Sequence, residues 1–203
     1  MKLILLFCLS LISFKSPAEF LPKSFSAKFT QEYLSSLKGK VKKGNGSVDY
    51  KYPSNLRFET NNPTHVLFIS NGKKSWYYTF PFIEGEDGEL TESNGKDGMG
   101  VFIKFFDALN MGLASNNLYT VLKNNQNAEI IFNEKSAAEI GIKRAKLNFK
   151  EKKYEFSLIN SIELEFMDGK KSTMALSEMK VNHAISDELF IFKAPKNTKL
   201  IKR

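Results

Sequence analysis

The chain has 203 residues, enough for one domain, and its 30 Lys and Arg against 22 Asp and Glu give a formal net charge of +8. This charge fits solvated strand faces best, or attraction to anionic lipid head groups or an acidic partner surface. The single cysteine excludes a disulfide framework, and nucleic-acid binding is disfavoured because no basic cluster coincides with a recognition motif.

Residues 1–18 have the pattern of a secretory signal peptide. A positive start is followed by an apolar stretch, residues 3–14, that is too short to span a bilayer well, and then by small residues suited to a cut before Glu19. Cleavage would remove Cys8 and two lysines, leaving residues 19–203 as one domain with a charge of +6. An uncleaved N-terminal anchor is the alternative.

Alternating apolar and polar residues predict strands through the first part of the mature chain. The apolar members of this alternation are Phe25, Ala27, Phe29, Val48, Tyr50, Tyr52, Leu56 and Phe58. Pro53 interrupts the pattern and predicts a turn, because proline fixes φ and cannot donate a hydrogen bond to a sheet. Residues 66–69 form a short apolar strand, and Asn71-Gly72 predicts a tight hairpin that returns through residues 75–78.

The middle of the chain has a different character. Residues 84–100 hold five glycines and many acids, which predicts a mobile loop. Apolar side chains in residues 101–113 then recur at helical spacing and predict a helix with one apolar face. Residues 116–122 suit a further short helix. A very apolar helix between two halves of a sheet is expected to lie across the concave side of that sheet.

Strand patterns return from residue 130 onward. Alternation recurs through residues 144–149, 153–158 and 161–166, and Asp168-Gly169 predicts a second short hairpin. Amphipathic strands at near-regular spacing predict a mainly β fold. We expect an incomplete antiparallel β-barrel, or curled sheet, with an α-helical lid over a hydrophobic cavity.

No group of residues predicts catalysis. His65 and His183 lie outside any metal-binding spacing, and Glu163 and Glu165 share a strand face that we expect to be solvated. The acidic run at residues 84–89 lacks the fixed spacing of a calcium loop. We therefore expect no enzymatic activity, no metal and no cofactor. The 18 Phe, 7 Tyr and 1 Trp indicate either a packed core or a cavity for acyl chains.

The order of several short motifs resembles the outer-membrane lipoprotein carrier proteins of Gram-negative bacteria, the LolA type. The matching elements are Tyr52-Pro53, Leu56-Arg57-Phe58, Pro63, Ser70-Asn71-Gly72-Lys73 and Trp76-Tyr77-Tyr78. A weaker likeness extends from residues 25–31 to residues 190–201, so it covers most of the mature chain.

The resemblance implies a monomeric periplasmic chaperone that binds acyl chains without catalysing a reaction. It would accept acylated lipoproteins from an inner-membrane ABC transporter of the LolCDE type and carry them to the outer membrane, where a LolB-type receptor could take them over. One alternative is a lipid-sensing or lipoprotein-sensing module of the same fold. Another is a structural β-protein with a filled core.

The residues predicted to bind lipid fall into two sets. The predicted cavity lining comprises Phe29, Tyr50, Tyr52, Leu56, Phe58, Leu67, Ile69, Trp76 and Tyr78. The predicted lid comprises Phe102, Phe105, Phe106 and Leu109.

Two features depart from the carrier family. Carriers usually have an amphipathic helix between the signal cut and the first strand, whereas only residues 19–24 precede Phe25 here. Many carriers also have Arg just before the proline, where it is thought to hold the lid closed. This chain has Tyr52, which can donate one hydrogen bond and lacks the guanidinium fork. Arg57 is expected on the opposite strand face from Leu56.

Overall fold

The computed structural model describes residues 19–34, 41–94 and 100–202. The predicted signal peptide lies outside these residues. The strands are β1 Ser24–Leu34, β2 Val41–Lys51, β3 Asn55–Asn62, β4 Val66–Asn71, β5 Lys74–Thr79, β6 Gly88–Asn94, β7 Tyr119–Asn124, β8 Asn127–Phe132, β9 Ile142–Phe149, β10 Ile159–Phe166, β11 Lys171–Val181 and β12 Thr198–Leu200. The helices are α1 Val101–Ala108 and α2 Glu134–Ile140, with short 3-10 helices at Leu109–Met111, Phe156–Leu158 and Asp187–Phe190.

All twelve strands form one sheet in the order β12-β6-β5-β4-β3-β2-β1-β11-β10-β9-β8-β7. Neighbouring strands run antiparallel except β12, which pairs with β6 in parallel. Among the described strands, β12 and β7 are the two ends and do not pair with each other, so the sheet is curled but not closed. The predicted fold class is confirmed.

Close backbone contact explains one glycine in the centre of this sheet. A Cβ atom on Gly46 of β2 would lie 1.9 Å from the carbonyl oxygen of Glu59 in β3 and 2.7 Å from the ring of Phe29 in β1. Only glycine fits here without moving the backbone, because the Glu59 carbonyl oxygen already occupies the space that a Cβ atom would need.

Two predictions for the middle of the chain are wrong. Residues 116–122 do not form a helix: Tyr119–Asn124 is the edge strand β7, with β-branched and aromatic residues that suit a pleated surface. Residues 84–100 are not entirely loop, because Gly88–Asn94 forms β6 and pairs with β5. The predicted helix at residues 101–113 is present as α1, followed by the 3-10 turn Leu109–Met111.

Strand register assigns the side chains to two faces of the sheet, since residues directly opposite each other in an antiparallel pair point the same way. In the β3–β4 pair, Phe58 lies opposite Phe68, while Arg57 lies opposite Ile69. We call the side of Phe58 the inner face, because it packs against α1 through Phe102. The side of Arg57 and Ile69 is the outer face.

Candidate functional site: the inner face beneath α1

The inner face carries one continuous aromatic layer between the sheet and α1. Phe29 of β1 stacks on Phe58 of β3 with ring centroids 4.6 Å apart, and Phe58 stacks in turn on Phe102 of α1 at 4.9 Å. Tyr50 lies 5.4 Å from Phe106 of α1. The structure therefore brings the predicted lid and four predicted lining residues together, namely Phe29, Tyr50, Leu56 and Phe58.

The space under α1 is filled by side chains. Phe105 and Leu109 are fully buried, Phe106 is 2% exposed, and Leu56 in β3 is 1% exposed. These residues pack against one another and fill the space between α1 and the sheet.

Four more of the predicted lining residues lie on the outer face, which corrects our assignment of them to the inner wall. Ile69 is opposite Trp76, and Leu67 is opposite Tyr78, in the β4–β5 pair. The β3–β4 hairpin sets this placement, because its register puts Phe68 rather than Leu67 or Ile69 on the inner face. The four residues form a second apolar cluster with Leu90 and the buried Phe190.

The C-terminal segment covers this outer cluster. The 3-10 helix Asp187–Phe190 crosses β3 and β4, and Ile185, Leu189 and Phe192 pack around Phe190. Lys51 anchors the segment, because its ammonium group lies 2.6 Å from the Asp187 carboxylate. We refer to residues 185–192 as the outer strap.

One carboxylate on α1 makes several hydrogen bonds to the sheet and to the turn between β2 and β3. The Tyr50 hydroxyl donates to Asp107 Oδ1 at 2.5 Å, and Ser54 donates its backbone N–H to the same atom at 3.0 Å and its hydroxyl to Oδ2 at 2.6 Å. Burial, reinforced by the Asp107 hydrogen bond and charge, raises the pKa of Tyr50 far above its ordinary value. Tyr50 is therefore a neutral donor across the physiological pH range. We call these three residues the latch.

Tyr52 has a smaller part in holding the helix than its position predicts. It is 41% exposed at the turn beside Pro53, so it does not line the inner wall. Its hydroxyl accepts a hydrogen bond of 3.3 Å from the side-chain amide of Asn110. Sequence reasoning missed Asp107 and Ser54. The signal available in the sequence was that Asp107 is the one acidic residue of a mainly apolar helix.

A cleft of about 650 Å³ opens where the chain leaves α1. Its apolar walls come from the segment before β1, from the turn after α1 and from the far half of the sheet. Its apolar lining includes Phe20, Met111, Leu113, Tyr154, Phe156 and Val181. The cleft adjoins the filled inner face, because Phe20, Leu113 and Phe156 line the cleft and also belong to the core of that face.

The segment before β1, residues 19–23, is irregular chain with bends and not a helix. Phe20 lies edge-on to Phe156 at 5.7 Å, and Leu21 is 2% exposed. Residues 19–23 therefore fill the border of the core between the cleft and β1.

Outside the latch, Glu59 is the centre of a small network of titratable groups. On the outer face, Glu59 lies 2.6 Å from Arg57 and 2.8 Å from His65. Burial alone would raise the pKa of Glu59, but hydrogen bonds from His65 and Arg57 outweigh burial and hold it below its ordinary value. Within residues 19–34, 41–94 and 100–202, no three His, Cys, Asp or Glu side chains are grouped as a metal site would require.

Among the helices of the described residues, none has the length and hydrophobicity needed to cross a membrane.

Comparison with known proteins gives a consistent result. The family model "Outer membrane lipoprotein carrier protein LolA" matches residues 22–193. An outer-membrane lipoprotein carrier protein of Idiomarina loihiensis is 26% identical over 188 residues, covering 85% of this chain and 78% of the relative. One from Legionella pneumophila strain Corby is 26% identical over 187 residues, covering 89% and 84%. A crystal structure of a LolA superfamily protein from Nitrosomonas europaea aligns over 86% of this chain and 92% of that one, with 13% identity and a TM-score of 0.45.

Proposed function

Because the chain belongs to the family of outer membrane lipoprotein carrier proteins, LolA, we propose that it binds the acyl chains of lipoproteins released from the inner membrane and carries them to the outer membrane. The observation that carries this proposal is the inner face itself. A large apolar surface lies there under a short helix that one carboxylate ties down, and a cleft opens beside the helix.

The energetics of exchange follow from this arrangement. Burying one methylene contributes about 0.8 kcal/mol, so two or three acyl chains offer roughly tens of kcal/mol before any opposing terms. Cargo must first displace Phe105, Phe106 and Leu109 from the inner face, and these side chains then lose their own burial. The helix thus competes with the cargo for one surface, which keeps net affinity modest and allows release.

The route follows from the family. The carrier would be exported to the periplasm by the signal peptide of residues 1–18 and act there as a monomer. An inner-membrane ABC transporter of the LolCDE type would supply acylated lipoprotein, and a LolB-type receptor would accept it at the outer membrane. The proposed task is binding and transfer without a catalysed reaction.

Release of labelled lipoproteins from spheroplasts by the purified mature chain tests this role. We expect the wild type to release and retain lipoprotein, and Leu56→Glu to fail because it places a charge on the inner face. Met167→Glu is the matched control, since Met167 lies in a hairpin turn and is 52% exposed. The carrier role fails if wild-type protein retains no lipoprotein, or if Leu56→Glu releases as much as the control.

The filled inner face also favours a second candidate, a structural β-protein with a permanent core. Titration with an apolar fluorophore separates the two. A carrier binds the dye saturably and loses it to an acyl lipid, whereas a permanent core offers the dye no site.

A further inference from the structure

The loop between β5 and β6, residues 80–87, exposes two adjacent apolar side chains. Phe82 is 80% exposed and Ile83 is 63% exposed, more than the other large apolar residues that the structure describes. Single exposed apolar residues are ordinary on a protein surface, but a neighbouring pair at a loop end is a feature of interaction sites. We call Phe82 and Ile83 the tip.

The loop holds the tip in place through contacts at both of its ends. The Phe80 ring stacks on His65 with 3.6 Å between centroids, and its backbone N–H donates to the His65 carbonyl at 3.0 Å. Beyond the tip, Glu86 N–H donates to the Ile83 carbonyl at 3.2 Å, and Gly88 N–H donates to Asn197 at 3.0 Å. A loop fixed in this way loses little conformational entropy when a partner binds.

The charge beside the tip selects the kind of partner. Glu84, Glu86 and Asp87 are exposed and form no ion pair with another residue of the described chain. At the base of the loop, Lys199 of β12 lies opposite Glu89 of β6 in the strand register. Three carboxylates at the tip are repelled by anionic lipid head groups and attracted by Lys and Arg.

We propose that the tip docks into an apolar recess bordered by Lys or Arg side chains on a partner protein. The position of the loop fits this role. The tip lies near the β12–β6 edge of the sheet, whereas the cleft beside α1 includes Lys123 of β7, the opposite edge. No residue of the loop 80–87 lines the cleft, so the tip and the cleft are separate surfaces. The link to lipoprotein loading rests on the proposed carrier function, but the docking itself does not.

Photocrosslinking in living Gram-negative cells tests the docking directly. Benzoylphenylalanine at position 82 of the full chain should give a discrete protein adduct, and the same residue at position 167 should not. Combining the probe with Glu84→Gln, Glu86→Gln and Asp87→Asn should reduce the adduct by roughly ten-fold, because the basic border loses its attraction. A phospholipid adduct, no adduct, or an adduct unaffected by the three substitutions overturns the proposal.

Lipoprotein release from spheroplasts separates this proposal from the carrier function. Phe82→Ser with Ile83→Ser should lower release by about ten-fold while leaving apolar-dye binding unchanged, because the inner face is intact. Release equal to wild type refutes a docking role in loading. If wild-type protein releases nothing but the charge-dependent adduct persists, the carrier function fails and the docking tip stands.

A bilayer as the partner is tested with vesicles of phosphatidylethanolamine and phosphatidylglycerol. The docking proposal expects wild type and the Phe82→Ser, Ile83→Ser variant to remain equally in the supernatant. Sedimentation of the wild type alone would identify the tip as a membrane anchor and overturn the proposal.

Discussion

The inner and outer faces of the sheet both carry an apolar cluster, but their covers differ in kind. The outer strap continues into β12, which hydrogen-bonds along β6, and its central side chain, Phe190, is 1% exposed. The inner cover is a helix of eight residues, and its hydrogen bonds to the sheet come from the Asp107 carboxylate and from the Tyr119 hydroxyl, which donates to the Ala108 carbonyl at 3.3 Å. This difference predicts that the outer cluster is structural and that the inner cluster is the one whose cover can be displaced.

Phe190→Ala should have the largest effect on stability. Removing a fully buried ring from the outer cluster leaves a cavity and should lower the free energy of unfolding by about 3–5 kcal/mol. Urea unfolding followed by fluorescence of Trp76, the only tryptophan and a member of this cluster, measures the loss. Dye binding per folded molecule should stay at the wild-type level. A loss below about 1 kcal/mol would mean that the outer strap is also easily displaced.

Asp107→Ala should loosen the inner cover selectively. It removes three hydrogen bonds and leaves the Tyr50 hydroxyl without its acceptor, a loss of about 1–3 kcal/mol. Faster hydrogen exchange in α1 and faster dye binding are expected, with exchange in β4 and β5 unchanged. Asp87→Ala, at an exposed loop position, is the control. Equal acceleration on both faces would contradict an independent inner cover.

High pH should weaken the inner face of the sheet, and low pH should weaken the outer face. The raised pKa of Tyr50 favours the neutral phenol in the folded state, so this stabilisation is complete below about pH 10 and is lost as the pH rises further. The lowered pKa of Glu59 favours its carboxylate, so that contribution is present above 4.5 and is lost as the pH falls below it.

Stability measured against pH checks both directions. Tyr50→Phe should flatten the alkaline fall, and Glu59→Gln should flatten the acid fall reported by Trp76. If each substitution leaves its slope at the wild-type value, the two groups do not control these transitions.

Tyr52→Phe should have the smallest effect. The hydroxyl makes one long, exposed hydrogen bond to Asn110, so its loss should change stability by about 0.5 kcal/mol or less and leave the rate of dye binding unchanged. If Tyr52→Phe changed the rate of dye binding as much as Asp107→Ala, Tyr52 would be a main contact that holds α1 to the sheet.

Sequence patterns predicted much of this fold for clear physical reasons. The alternation of apolar and polar residues identified the buried faces of β1, β2 and β3. The helical spacing of apolar residues identified α1. Each pattern depends only on local geometry. Placing Leu67 and Ile69 required the register of β3 with β4, which the continuous apolar run at residues 66–69 does not reveal. Such a run has no polar member to distinguish its two faces.

Other misses came from short elements and long-range contacts. The helix α2 has seven residues, too few for a periodic pattern, although Asn133 caps its start by accepting from the Ser136 N–H and Gly141 ends it at φ 90°. The latch joins Tyr50 to Asp107 across 57 positions. Motif spacing cannot predict such a pair, because it depends on where α1 settles on the sheet.

The pairing of β1 with β11 has a consequence for how the chain assembles. Strands β1 to β6 can form in order as neighbouring hairpins, as can β7 to β11, but Phe29 must find Leu176 to join the two halves. Pairing β1 with β11 joins residues that lie far apart in the sequence, so we expect it to be the slowest step of folding. Until residues 171–181 are available, β1 has a bare edge that could pair with another copy. The chain is therefore most prone to aggregate while residues 171–181 have not yet paired with β1.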